Sequence, residues 1–227
     1  MKRQFHSPGD LLKAMPWSIR REFRKVAVQV ELRPREILFH AGDVGDSCYL
    51  VRSGAVKASV VARDGQERLL AILGPGSLIG ELALIDDEPR SATVSALRRC
   101  EVLHLTKAAF FRMADANPMI YRQALRLLTG RLRGTNDSVV AQGTVTVTGR
   151  VALAFASLAE GLGQQQESGR IVLPHRISQT DIAGMAGVAR ENASRAINDL
   201  LRQGVLGRVG GFYSVERLTE LRDLSEI

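Results

Sequence analysis

Between residues 34 and 106 the apolar residues come in short runs broken by turn signals. The runs are ILFHAGD, CYLVRSG, AVKASVVARDGQ, RLLAILGPGS, ATVSAL and CEVLHLT, and the breaks carry Gly42-Asp43, Ser53-Gly54, Asp64-Gly65 and Gly74-Pro75-Gly76. Turn signals about every 8–12 residues predict short antiparallel strands in a barrel, roll or sandwich. Asp64-Gly65 is the clearest hairpin turn among them. From 107 to 142 the period becomes helical. Pro118 can open a long helix with Asn117 as its cap. Leu125, Leu128, Leu132, Thr135, Val139 and Gln142 then alternate spacings of three and four, the a and d positions of a coiled coil. Heptad spacing favours pairing with a second copy, although a helix packed on its own domain also carries an apolar stripe. The seam turns polar at Thr135 and Gln142, and Gly134 sits beside the first, so the helix is weakest there.

Residues 147–227 read as a helix, a loop, a helix-turn-helix and two short strands. In SQTDIAGMAGVARENASRAINDLLRQ (178–203), Ser178 can cap a first helix with Asp181 as the acid of a short capping box. Gly187 marks the turn, and a second helix begins near Ala189. On that second helix Ala193, Ala196, Ile197, Leu200 and Leu201 face inward, while Arg190, Glu191, Ser194 and Arg195 share the other side of its first two turns. Arginine at such a position can grip guanine O6 and N7, and glutamate can accept from cytosine N4. A solvated, salt-bridged face would have the same composition. VLGRVGGFYSV follows, a glycine-turn hairpin with Arg208 near its tip. Helix-turn-helix plus hairpin wing points to DNA.

Composition narrows the function without choosing it. The chain has 227 residues, 45% hydrophobic and 24% charged, which is ordinary for a globular protein of two domains. The net charge of +7 suits an anionic partner. No apolar run approaches the roughly 20 residues of a membrane span, and the N-terminal stretch lacks the apolar core of a secretory signal, so no membrane association and a cytoplasmic location are expected. The two cysteines, Cys48 and Cys100, have no metal-site spacing and read as buried thiols. His6, His40, His104 and His175 are scattered. No arrangement of nucleophile and base, paired acids or metal ligands supports catalysis, so no enzyme and no covalent cofactor are expected.

One stretch asks for an explanation. GELALIDDEPRSAT (80–93) puts Glu81 and Arg90 nine residues apart, with small residues around both, in the break between two apolar strands. On residue chemistry alone the two charges could simply pair. GELALIDDEPRSAT, however, resembles the phosphate-binding cassette of the cyclic-nucleotide-binding fold. TVTVTGRVALAFASLA resembles the opening of the C-terminal domain, and VARENASRAINDL the recognition helix, of the catabolite activator and fumarate-nitrate regulator (CRP/FNR) family, cyclic-nucleotide-responsive branch. The order of the parts is similar over nearly the whole chain.

The resemblance implies an α+β fold: a cyclic-nucleotide-binding β-roll over 1–117, a dimerisation helix and hinge over 118–146, and a winged helix-turn-helix DNA-binding domain over 147–227. It implies a homodimeric transcription regulator on a palindromic double-stranded DNA site, with RNA polymerase as a further partner and the loop 161–170 as a candidate contact. A cyclic nucleotide would be the effector, cyclic AMP favoured and cyclic GMP open. A regulator that works without a nucleotide, or with another effector, is the alternative; some family members bind no nucleotide and lack the Glu–Arg cassette, which this chain keeps. By the resemblance Arg90 takes phosphate oxygens, Ser91 donates to them, and Glu81 accepts the ribose 2′-hydroxyl. Gly80, Leu82 and Ala83 form the turn that brings backbone N–H groups to the anion, and Thr135 and Asn136 meet the purine. Thr-Asn departs from the familiar Thr-Ser, and an asparagine carboxamide can both donate and accept. Arg190, Glu191 and Arg195 match the base-reading trio, with Ser178, Gln179, Ser194 and Arg208 as further DNA-binding candidates.

Overall fold

The structure is a computed structural model and describes residues 17–62, 65 and 67–225. In chain order the elements are α1 (Trp17–Val26), β1 (Val28–Leu32), β2 (Ile37–Phe39), β3 (Ser47–Ser53), β4 (Val56–Val61), β5 (Glu67–Leu73), β6 (Leu78–Ile79), α2 (Glu81–Asp86), β7 (Thr93–Ala96), β8 (Cys100–Thr106), α3 (Lys107–Ala116), α4 (Met119–Thr144), α5 (Val147–Leu162), β9 (Gln164–Gln165), β10 (Ile171–Val172), α6 (Gln179–Ala186), α7 (Arg190–Arg202), β11 (Leu206–Val209), β12 (Phe212–Val215) and α8 (Leu218–Leu224). Two compact units form, one centred on residues 17–62 and 70–131, the other on residues 132–225.

In the first unit, two four-stranded sheets run in the orders β1-β8-β3-β6 and β2-β7-β4-β5. Alternation along β8 feeds two clusters. Leu103 and Leu105 join Phe23, Leu50, Leu78, Leu84 and Phe110. Cys100 and Val102 join Leu32, Val51, Val56, Ile79 and Val94. β4 and β5 are neighbours as the hairpin reading expected, although Asp64 of the turn lies outside the described residues. β1, β6 and α2 were not anticipated. β1 reads VQVEL, an alternating strand signal that lies before residue 34, where the strand reading began. β6 and α2 are too short to show a period.

The first half of α4 seals this unit: Ile120, Ala124 and Leu127 lie in the same cluster as Leu50 and Leu84. The spacing of four and three is one helix face. The heptad stripe is a different face. Leu125, Leu132 and Val139 are 61%, 61% and 64% exposed. The helix therefore does not use those leucines to pack on its own unit, and it runs unbroken through Gly134.

In the second unit α5 supplies the core with Val151, Leu153, Phe155 and Leu158. A sheet of order β11-β12-β10-β9 stands beside it, and the Phe155 ring meets Tyr213 edge-on at 5.1 Å. Ser178 and Asp181 form the full capping box at the start of α6, and Gly187 ends it at φ 61°. α7 starts at Arg190 after Ala189. β9, β10 and α8 were not anticipated. β9 and β10 are only two residues long each, and α8 only seven, too short to show a period.

Candidate functional site

The segment 78–93 is held at both ends. β6 pairs with β3 through Leu78–Leu50 and Ile79–Tyr49. At the far end Arg90 N–H donates to the Asp43 carbonyl at 2.8 Å, and Gly42 N–H donates to the Arg90 carbonyl at 2.8 Å. Between these anchors Gly80 turns the chain at φ 76° and caps α2, whose first turn is Glu81, Leu82 and Ala83. The left-handed conformation suits glycine, and so does the crowding: a Cβ on Gly80 would stand 2.3 Å from Arg90 Nη1.

Glu81 and Arg90 are both buried, 2% and 4% exposed. They do not pair with each other, which corrects the simplest reading of the sequence. Glu81 Oε1 accepts from Arg131 Nη1 on α4, and Arg131 Nη2 donates to the Leu78 carbonyl. Arg90 Nη1 donates to the Gly80 carbonyl at 2.8 Å, and Nη2 donates to Ser47 Oγ at 3.2 Å. Among the described residues Arg90 Nε has no partner. The guanidinium carbon lies 4.4 Å from the centroid of the Phe39 ring and 5.9 Å from that of Tyr49. Gly45 closes the pocket behind it. A Cβ there would stand 2.3 Å from Ala83 Cβ and 3.2 Å from Arg90 Nε.

Such an arrangement can attract an anion that also carries a hydroxyl. A buried cation without a carboxylate partner holds strong attraction for phosphate oxygens. A buried carboxylate a few residues away can accept a hydroxyl proton. The Nε–H of Arg90 is unspent, and the backbone closes on the arginine where a side chain at Gly45 or Gly80 would collide. Ser91 is exposed beside Arg90. Beneath the cassette Cys48 is fully buried. Burial pushes its thiol up to about 12, the Glu81 carboxylate adds to the rise, and the Arg90 guanidinium opposes it. Such a thiol is inert at neutral pH.

Thr135 and Asn136 lie on the exposed stretch of α4 beyond Arg131. Thr135 stands one turn after Arg131 on the same face. Arg131, Ser47, Gly45 and Phe39 escaped the sequence reading. An arginine one turn ahead of the polar seam pair was the available signal for Arg131. Nothing local marks Gly45 or Phe39.

The second cluster lies in the other unit. Arg190, Glu191 and Arg195 are exposed on the first turns of α7, Ser194 is half-buried beside them, and Ala193, Ala196, Ile197 and Leu200 are buried opposite. Ser178 spends its hydroxyl on the capping box, and Gln179 is half-buried next to it. The wing is a hairpin in which Arg208 pairs with Tyr213. Its turn, Gly210-Gly211, has positive φ at both residues, as a two-residue loop of the twisted type requires. The Arg208 guanidinium packs 5.0 Å from the Tyr213 ring.

Comparison with known proteins decides the family. Residues 29–117 match the cyclic nucleotide-binding domain, and residues 149–224 match the Crp-like helix-turn-helix domain. The CRP-like cAMP-activated global transcriptional regulator of Mycobacterium tuberculosis is 34% identical over 167 residues, covering 74% of each chain. The chain belongs to the CRP/FNR family of transcription regulators. A second relative of this regulator, the cyclic AMP receptor protein of Thermus thermophilus, is 32% identical over 189 residues, covering 83% of each chain. Among solved structures, FixK2 from Bradyrhizobium japonicum shares the fold with a TM-score of 0.75 at 24% identity, covering 89% of this chain and 98% of its own. Catabolite activator protein from Thermus thermophilus aligns with a TM-score of 0.55 at 27% identity, over 96% and 98%. The α+β architecture expected from sequence is the family's: a β-rich cyclic nucleotide-binding domain, a long helix and a helix-turn-helix. Among the described residues no helix is long and apolar enough to cross a membrane.

Proposed function

We propose that this regulator binds a cyclic nucleotide, cyclic AMP in first place and cyclic GMP in second, and that the nucleotide controls its grip on DNA. The carrying observation is the chemistry at Arg90: a buried guanidinium held by neutral partners, with Glu81 buried on the adjoining helix. Arg90 takes the phosphate, with Ser91 and the first-turn backbone of Gly80, Glu81, Leu82 and Ala83 as additional donors. The ribose 2′-hydroxyl goes to Glu81 and competes there with Arg131. Thr135 and Asn136 meet the purine. Of the two relatives named above, one is described as cAMP-activated and the other as a cyclic AMP receptor protein, which supports the choice of nucleotide.

The working division is a nucleotide domain over 1–117, a dimer helix and hinge over 118–146 and a DNA-binding domain over 147–227. A second copy covers the exposed stripe of Leu125, Leu132 and Val139, since apolar side chains repeating every heptad on a helix gain most from an identical partner. The dimer places two α7 helices in successive major grooves about 34 Å apart. Arg190, Glu191 and Arg195 read base edges. Ser178, Gln179, Ser194 and Arg208 contact the backbone or adjoining bases. The protein then acts in the cytoplasm, with RNA polymerase as partner and the loop 161–170 as its contact.

Calorimetric titration of the full chain with cyclic AMP and with cyclic GMP tests the ligand. Binding of at least one to wild type, lost in Arg90→Leu, is the expected result. Equal binding by both proteins removes Arg90 from the site, and no binding by either leaves a regulator that works with another effector.

A further inference from the structure

Arg90 is a charged group in the wrong place by ordinary standards. Buried arginines are nearly always paired, yet no carboxylate among the described residues forms an ion pair with this one. Its hydrogen-bond partners are the Gly80 carbonyl and the Ser47 hydroxyl, both neutral. Two aromatic rings also lie near the guanidinium. Phe39 lies 4.4 Å from the guanidinium carbon and Tyr49 5.9 Å. The two rings lie 5.9 Å apart at 31°, and Tyr49 continues to His104 at 5.1 Å.

We propose that Phe39, backed by Tyr49, is a positioning residue for Arg90: its ring stabilises the buried guanidinium without neutralising it. This rests on the reading of Arg90 as the phosphate ligand and adds what makes that ligand effective. A carboxylate in Phe39's place would also hold the arginine, but it would cancel the charge and compete with phosphate for the same N–H groups. The ring quadrupole attracts the cation with a face that accepts no phosphate-directed donor. The full positive charge and the Nε donor stay committed to the incoming anion.

The backbone is arranged to bring Phe39 there. β2 pairs with β7, and the register shifts between Ile37 and Phe39, so that Phe39 meets Val94 instead of the residue that regular pairing would give. A bulge re-aims the side chain that follows it. In the sequence, Phe39 is one apolar residue of ILFHAGD, and nothing distinguishes it from a core phenylalanine. A leucine would fill similar space without the quadrupole.

The test uses the full chain and two readouts. The first is a double-mutant cycle on ligand-free protein, measured by urea unfolding of wild type, Phe39→Leu, Arg90→Met and the double variant. Phe39→Leu should lower the folding equilibrium about 10-fold more in the presence of Arg90 than in its absence. Additive effects overturn the proposal. The second is nucleotide affinity. Phe39→Leu should weaken it by about 10- to 30-fold, while Phe39→Tyr, which keeps the ring, should stay within about twofold. Equal losses in both variants mean that shape alone matters and overturn the proposal. If Arg90→Met does not fold, the Nε–H resonance of Arg90 in arginine-labelled protein replaces the cycle. It should sit at high field in wild type and Phe39→Tyr and move to the ordinary position in Phe39→Leu; an unshifted wild-type resonance denies the stacking. Should wild type bind neither nucleotide, the ligand reading fails, and the cycle still decides the clamp.

Discussion

Arg131 of α4 holds the Glu81 carboxylate of α2 in an ion pair whose acid side chain is 3% exposed and whose base is 28% exposed. The same guanidinium bonds the Leu78 carbonyl just before the cassette. The acid that a ribose hydroxyl would seek is thus tied to the long helix. Any ligand that takes Glu81 changes what Arg131 does, and Arg131 sits one turn before Thr135.

Removing Arg131 should therefore hurt stability and change ligand preference together. Arg131→Leu leaves a buried carboxylate without its cation. The cost should be about 2–3 kcal/mol, below the 3–5 of a fully dry pair because part of Arg131 is in water. Glu81→Gln in the same chain should recover most of that loss. Urea unfolding of the single and double variants measures both. In wild type the 2′-deoxy form of the nucleotide should bind more weakly than the ribo form, and Glu81→Gln should narrow that difference.

Gly134 offers the opposite experiment. A Cβ added there meets nothing within 4 Å, and glycine inside a helix costs about 1 kcal/mol relative to alanine. Gly134→Ala should stiffen the exposed turns of α4, raise the thermal midpoint and permit some DNA binding without nucleotide. In wild type, hydrogen exchange over 134–145 should slow when nucleotide is added; unchanged exchange there would defeat an ordering mechanism.

The two thiols set an alkaline limit. Burial raises Cys48 from 9.0 to about 12, with Glu81 adding and Arg90 opposing. Burial raises Cys100 to about 11, with Arg98 opposing and Glu101 adding. Above pH of about 9 the unfolded chain loses these protons while the folded chain keeps them, so stability falls as pH rises. The thiol contribution is complete below pH 9 and is lost up to about 11 for Cys100 and about 12 for Cys48. Unfolding free energy measured from pH 8 to 10.5 should fall less steeply in Cys48→Ala and Cys100→Ala than in wild type, and thiol reagents should leave the folded protein unmodified at pH 8.

Much of this was legible in the sequence because the signals are local. Ser178 with Asp181, Gly187 and the inward set Ala193, Ala196, Ile197 and Leu200 describe a helix-turn-helix within 26 residues. GELALIDDEPRSAT carried its own meaning through resemblance. What the sequence hid is what depends on elements far apart in the chain. Arg131 reaches Glu81 across 50 residues, and Phe39 reaches Arg90 through a bulged pairing with β7. The alternative in which Glu81 and Arg90 simply pair fails for that reason: each has another partner that sequence spacing does not show. The stripe on α4 follows heptad spacing in the sequence, and burial distinguishes it from the Ile120, Ala124 and Leu127 face that packs inward.

On the DNA side, Arg190→Ala should relax preference at one guanine of each half-site and cost about 1–3 kcal/mol on the specific sequence. Equal losses on specific and random DNA would mean a phosphate contact. Leu132→Glu, placed on the exposed stripe, should shift the protein toward monomer in sedimentation and abolish binding to a full palindrome, with the β-roll still folded.

The central claim is that nucleotide held by Arg90 and Glu81 controls DNA binding. Fluorescence anisotropy of a labelled palindrome, titrated with the full chain with and without cyclic AMP or cyclic GMP, tests it most directly. The account predicts that at least one nucleotide tightens binding by tenfold or more, about 1.4 kcal/mol of coupling, and that Arg90→Leu abolishes the effect while retaining weak nonspecific binding. DNA binding of equal strength with either nucleotide and with none would contradict it.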